Sequence, residues 1–178
     1  MIMKKMLLYL AVSVSGQLVQ VKYRPTDNGS SVQFKIKNLG FNVTGSFSGL
    51  DGTVAYDPAR PTETVFDVSV DANSINTDNN MRDNHLREDT YFDVKKYPRI
   101  RFVSVKVTSS TRRNEFFVFG KLMIKDHSKD ISFPFTVTPS GPGYLFKGSF
   151  TINRKDFGVG GASIVSDNLD VLLSIQAQ

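Results

Sequence analysis

The chain has no cysteine and no tryptophan among its 178 residues. The absence of cysteine excludes a disulfide framework, a cysteine metal site, a thiol nucleophile and a lipid-modified cysteine near the start. Gly 13 and Pro 7 are ordinary counts that exclude collagen-like and low-complexity chains. No apolar run approaches the roughly 20 residues that span a bilayer as a helix. Neither sign of charge dominates, with Lys+Arg 22 against Asp+Glu 17. With 40% hydrophobic and 22% charged residues, the chain holds enough apolar material for a core and too little net charge for disorder. What is plentiful is phenylalanine, at 14 residues.

Residues 1–16 read as a secretory signal peptide. Lys4 and Lys5 give a positive start, Met6 to Val12 an apolar stretch, and Ser13 to Gly16 small residues ahead of Gln17. The expectation is a mature domain of residues 17–178 in the periplasm or secreted. Cleavage leaves 20 of the 22 basic residues against 17 acidic ones, so the formal charge falls from +5 to +3. Only Lys95, Lys96, Arg99 and Arg101 cluster, and no nucleic-acid motif accompanies them, so neither nucleic acid nor a membrane span is expected.

From Val32 onward apolar and polar residues alternate, which marks strands with one buried face. Val32, Phe34 and Ile36 share a face opposite Gln33, Lys35 and Lys37, and Phe41, Val43 and Phe47 follow. The rhythm repeats in Val54 and Tyr56, in Phe66, Val68 and Val70, and in Ile131, Phe133, Phe135 and Val137. It returns in Tyr144, Phe146, Phe150 and Ile152, and in Leu169, Val171, Leu173 and Ile175. Along 116–124 the outward Lys121 puts Phe116, Val118, Leu122 and Ile124 inside. The segment from Ile100 to Val107 fits either phase, with Phe102 taken as inward. Turn signals stand at Asp51-Gly52, Asp57-Pro58, Pro61, Arg113-Asn114 and Gly141-Pro142-Gly143, so the connections are short and the sheet antiparallel.

One stretch breaks the alternation. Thr77 or Asp78 can cap a short helix through Met81, Arg82, His85 and Leu86, with Met81 and Leu86 packed inward and the charges in water. Asp78 with Arg82, and Asp83 with Arg87, have the i to i+4 spacing of helical ion pairs. Short antiparallel strands around one helical insertion leave a sandwich or a closed barrel, and an eight-stranded barrel can hold a small ligand.

The candidate chemistry is sparse. His85 and His127 lie in no metal-ligand spacing, and Asp126-His127-Ser128 is a turn whose neighbours cannot aim at one another as a triad. Asp156-Phe157-Gly158 echoes a kinase motif without a phosphate loop and reads as a tight turn. Three functions stay open on the residues alone: a lipophile-binding module, a structural or adhesive domain with a filled interior, and a hydrolase using a histidine with a carboxylate.

An ordered set of short motifs resembles the YceI-like family from about Tyr23 to the C-terminus. It comprises Ser74-Ile75-Asn76-Thr77, Arg82-Asp83, His85-Leu86, Tyr91-Phe92-Asp93-Val94 and Tyr97-Pro98 with Phe102 and Ser104. Gly120, Leu122 and Ile124 follow, then Asn153-Arg154-Lys155-Asp156-Phe157-Gly158-Val159. The chain departs at Asp126-His127-Ser128, where the family has a Gly-Val-Thr-like turn. The resemblance implies an all-β, extended, eight-stranded antiparallel lipocalin-like barrel whose apolar pore binds a polyisoprenoid, an isoprenoid quinone or another long-chain amphiphile. It implies no catalysis and no cofactor, and pairing through barrel surfaces as a homodimer. The expected lining is Phe34, Ile36, Val43, Phe47, Val68, Val70, Phe102, Val118, Phe133, Phe135, Phe146 and Phe150, with Met81, Leu86 and Phe92 near one mouth. Arg82 and Arg154 read either as partners of acidic side chains within the fold or as contacts to a polar head group.

Overall fold

A computed structural model describes residues 20–162 and 164–178. The signal peptide expected over residues 1–16 lies outside the described residues. The strands are β1 (Lys22–Tyr23), β2 (Pro25–Asn38), β3 (Phe41–Phe47), β4 (Asp51–Ala55), β5 (Val65–Asp71), β6 (Arg99–Ser109), β7 (Glu115–Ile124), β8 (His127–Ser140), β9 (Gly143–Asn153) and β10 (Val165–Ala177). One helix, α1 (Asn80–Arg87), stands between β5 and β6.

All ten strands form one antiparallel sheet in the order β1-β4-β5-β6-β7-β8-β9-β10-β2-β3. This corrects the expected eight-stranded closed barrel: the sheet is curled, and its ladder ends at β1 and β3 instead of closing. The curl is visible in the rings. Phe66 on β5 lies 5.5 Å from Phe146 on β9, although three strands separate them in the ladder. Around Arg24, between β1 and β2, the backbone exchanges two 2.9 Å hydrogen bonds with Gln178, so one extended segment is bonded to β4 and then to the end of β10. On the other edge, Ser46 of β3 bridges Asn76, and the Asp71 N–H donates to the Ser48 carbonyl at 3.0 Å. These few bonds draw the edges together without a continuous ladder.

The ambiguous Ile100–Val107 segment contains both phases. A bulge between Ser104 and Lys106 inserts Val105 as an extra residue and switches the faces. Phe102 therefore faces the interior, Val105 is 71% exposed, and Val107 is buried. Asp51-Gly52, expected as a turn, begins β4 instead. A Cβ on Gly52 would sit 2.1 Å from the Asp67 carbonyl oxygen, so the glycine answers a close cross-strand approach. Phe41, expected on the buried face, opens β3 at the sheet's rim and is 78% exposed.

The helix departs most from its expected form. Its cap is Asn79, whose side chain accepts from the Arg82 N–H at 3.0 Å, not Thr77 or Asp78. Met81 is 74% exposed where it was expected inside, and Asp83 is only 4% exposed where it was expected in water. The Asp83 carboxylate accepts from the Thr77 N–H at 2.9 Å and from the Thr77 hydroxyl. Neither helical ion pair forms: Arg82 donates to Thr77, and Arg87 to the carbonyls of Asn73 and Ile75. A nearby backbone N–H and hydroxyl hold the buried Asp83 carboxylate, while half-buried Arg87 is already engaged by carbonyls. Asp83→Ala strips these buried donors of their acceptor. It is expected to cost roughly 1–3 kcal/mol in urea unfolding, and Asp83→Asn, which keeps an acceptor, less.

Candidate functional site

The curl is filled at one end and open at the other. Near β1 and β4, Phe66 meets Phe135 at 5.4 Å and Tyr56 meets Phe146 at 5.6 Å, edge to face across the axis. Toward α1 the rings line the wall and an apolar cavity of about 550 Å³ remains between them, within the about 300–1,000 Å³ typical of small-molecule sites. Phe133, stacked on Phe150 at 4.6 Å, belongs both to the packed cluster and to the cavity wall, so it forms the floor.

Of the residues expected to line a pore, Phe34, Ile36, Val43, Phe47, Val68, Val70, Phe102, Phe133 and Phe150 lie on the cavity wall. Met81, Leu86 and Phe92 line it from the helical insertion. Val118, Phe135 and Phe146 do not: they share the inward face but stand at the filled end, in the packed cluster. Residues not anticipated as lining are mostly aliphatic, above all Leu169, Val171, Leu173 and Ile175 of β10. Their alternation was legible, but a choice weighted toward phenylalanine passed over them.

What keeps the open end open is a set of glycine seats. A Cβ on Gly45 would lie 2.2 Å from Phe34 Cζ, and one on Gly120 2.6 Å from Phe102 Cζ. Gly148 would bring its Cβ to 3.1 Å from the Phe133 ring. Each ring thus occupies the place of a missing side chain on the adjacent strand, and Phe34 and Phe102 lie back along the wall above the Phe133 floor. Phe34 and Gly45 are directly paired across β2 and β3.

Polar side chains gather around the mouth: Asn38, Thr77, Asn79, Arg82 and His85 all border the cavity. Arg82 donates to the Thr77 hydroxyl at 2.7 Å and carbonyl at 2.6 Å, and has no carboxylate within ion-pair distance among the described residues. The Asn38 Oδ1 atom is buried with no hydrogen-bond partner among the described residues. Arg154 also touches the cavity, but it is 6% exposed and, in line with the alternative of an acid partner within the fold, engaged with the frame. It donates to the carbonyls of Val159 at 2.9 Å and Ser166 at 3.1 Å, and pairs with Asp167 at 3.0 Å. The Lys155 hydrogen bond, aided by the charges of Lys155 and Arg154, holds the Asp167 carboxyl below the usual carboxylate range. Arg154 therefore straps the segment between β9 and β10.

The remaining candidates stay apart. His127 sits 2.8 Å from Asp126 in the β7–β8 turn, while Ser128 is paired with Met123 in the ladder. Asp156 and Phe157 lie in a 3-10 turn closed by Gly158 at φ +59°, and Phe157 is buried against Leu122, Ile124 and Val159. Among the described residues no three His, Cys, Asp or Glu side chains are grouped to hold a metal ion.

A family model of the YceI-like domain matches residues 23–177. The chain belongs to the YceI-like family. A UPF0312 protein of Pseudomonas savastanoi pv. phaseolicola is 33% identical, with 98% of this chain and 97% of that protein covered. The crystal structure of Burkholderia cenocepacia BcnA is similar with a TM-score of 0.79 and 27% identity, covering 85% of this chain and 98% of that one. A polyisoprenoid-binding domain from Saccharophagus degradans, implicated in plant cell wall breakdown, shares the fold with a TM-score of 0.70 at 13% identity, covering 90% and 99%. The YceI-like frame is thus an all-β curled sheet with one helix.

Gly45 offers the cleanest test of the seats, because the atoms nearest its absent Cβ belong to the side chains of Phe34 and Thr77. Gly45→Ala is expected to push the Phe34 ring into the lumen, cost roughly 1–3 kcal/mol, and weaken titration by an apolar fluorescent dye. Adding Phe34→Leu is expected to restore dye binding.

Proposed function

We propose that this YceI-like protein binds and carries a long-chain lipophile, a polyisoprenoid, isoprenoid quinone or similar amphiphile, without catalysis. One observation carries this: the cavity wall is built mostly of apolar side chains from β2, β10, β5, β6 and β9, and a group of polar side chains, Asn38, Thr77, Asn79, Arg82 and His85, gathers at the mouth beside α1. Such a cavity suits an elongated apolar tail with a polar end. Few hydrogen-bonding groups along the wall means that length and girth, more than functional pattern, select the tail.

The energetics agree. Burying one five-carbon unit gains at most ~3–4 kcal/mol at about 0.8 kcal/mol per methylene equivalent. Three or four such units offset an association cost of roughly 4–15 kcal/mol and leave useful affinity. The tail end would lie against Phe133 and Phe150, and the head near Asn38, whose Oδ1 has no partner among the described residues, and Arg82, whose guanidinium spends only part of its donors on Thr77. Arg154, committed to backbone carbonyls and Asp167, serves the frame. The fold shared with a polyisoprenoid-binding domain supports the ligand class. An exported location, following from the signal peptide expected over residues 1–16, is part of the same proposal.

Organic extraction of gently purified protein followed by mass spectrometry is expected to release an isoprenoid amphiphile. Val171→Trp, which places an indole in the cavity wall, is expected to weaken uptake at least about tenfold while the protein still folds cooperatively. Extracts free of any lipophile, together with Val171→Trp protein indistinguishable from wild type in isoprenoid uptake, would leave the domain a scaffold.

A further inference from the structure

The mouth of the cavity carries apolar side chains that neither the core nor local backbone geometry explains. β2 ends at Asn38, which pairs with both Phe41 of β3 and Val165 of β10, so the Leu39-Gly40 turn and Ile164 come together at one tip. At this tip Leu39 is 68% exposed, Phe41 78% and Ile164 69%. Met81, 74% exposed, borders the same cavity from α1.

Leu39 is also in the wrong conformation for its type. Leu39 and Gly40 have φ of +50° and +81°, the two positive values of a type I′ hairpin turn. That turn favours Asn-Gly or Asp-Gly, because a larger side chain sets its Cβ against the following carbonyl oxygen. An exposed leucine in a left-handed turn therefore weakens the hairpin and buries nothing within the chain. Local violations of this kind mark a site shaped by something outside the fold.

We infer that this rim is a membrane-docking tip, which seats the cavity mouth on an anionic phospholipid surface so that a lipophile passes between bilayer and cavity. The occupant is named by two features of the rim. The tip is the edge of the cavity itself, so inserted Leu39, Phe41 and Ile164 would join the acyl region to the apolar wall without an intervening layer of water. Lys37, one residue from the turn on the outward face of β2, and Arg82 at the mouth have no carboxylate within ion-pair distance among the described residues. Unpaired cations flanking apolar side chains match anionic head groups above an acyl layer. A second copy of this chain would present the same two cations to one another.

The purpose of docking rests on the lipophile-binding proposal, but the tip can be tested apart from it. Leu39→Ser, Phe41→Ser and Ile164→Ser are combined in one variant, and cosedimentation is measured with phosphatidylethanolamine–phosphatidylglycerol vesicles. Uptake of dansylated geranylgeraniol is followed both from those vesicles and from detergent solution. The expected result is a loss of vesicle binding and of transfer from vesicles of about tenfold or more, with uptake from detergent unchanged. Lys37→Gln is expected to reduce binding to these vesicles and leave binding to phosphatidylcholine vesicles unaltered. Equal vesicle binding by variant and wild type overturns the inference. So does a wild-type dimer in sedimentation that ignores vesicles and dissociates with the substitutions. Vesicle binding that depends on the tip, with no isoprenoid uptake from either source, upholds the docking surface and overturns the binding proposal alone.

Discussion

A curled antiparallel sheet whose inner face is largely apolar must either fill its lumen or leave it for a guest. This constraint governs the structure. Strand alternation sends every second side chain inward, and drawing the edges together through Arg24–Gln178 and Ser46–Asn76 commits all of those side chains to one interior. Where tyrosine and phenylalanine meet edge to face, around Tyr56, Phe66, Phe135 and Phe146, the interior is solid. Where rings lie back over glycine, it is hollow. The same residue type thus does opposite things at the two ends, and the difference lies in the neighbouring strand.

The helical insertion follows from the same constraint. A hollow end exposes an apolar rim, and the chain between β5 and β6 covers part of it with Leu86, Tyr91 and Phe92. Phe92 meets Phe47 edge to face at 5.5 Å, which joins the insertion to β3, the free edge of the sheet. Buried Asp83 gathers the Thr77 donors, and Arg82 and Arg87 hold carbonyls of the 73–77 segment. Side chains tied in this way leave the helix little freedom to pack Met81 inward, and it ends in solvent at the mouth.

Much of this was legible in the chain before folding. Alternation placed Phe34, Val43, Phe102 and Phe133 on inward faces, and the ordered motifs from Ser74 to Val159 pointed to the YceI-like frame. Several features were not legible, for identifiable reasons. The bulge at Val105 shows in the sequence only as an apolar segment with two acceptable phases. The burial of Asp83 depends on Thr77 donors fixed by the turn before the helix. Val118, Phe135 and Phe146 carry the same inward signal as the lining residues, and no pattern along a strand says how far from the mouth a position lies.

The sequence by itself determined a β domain with one apolar face, a short helical interruption, and an interior too rich in phenylalanine to be polar. Period-two alternation is a local property, written in neighbouring residues and independent of distant ones. Only the tertiary structure decided that ten strands curl without forming a closed ladder, that the plug stops at Phe133, and that Arg154 is committed to the frame while Arg82 faces the mouth. Each of those outcomes depends on which strand lies beside which, and on whether the facing residue is a glycine or another ring. That information arises only when the register is set across the sheet.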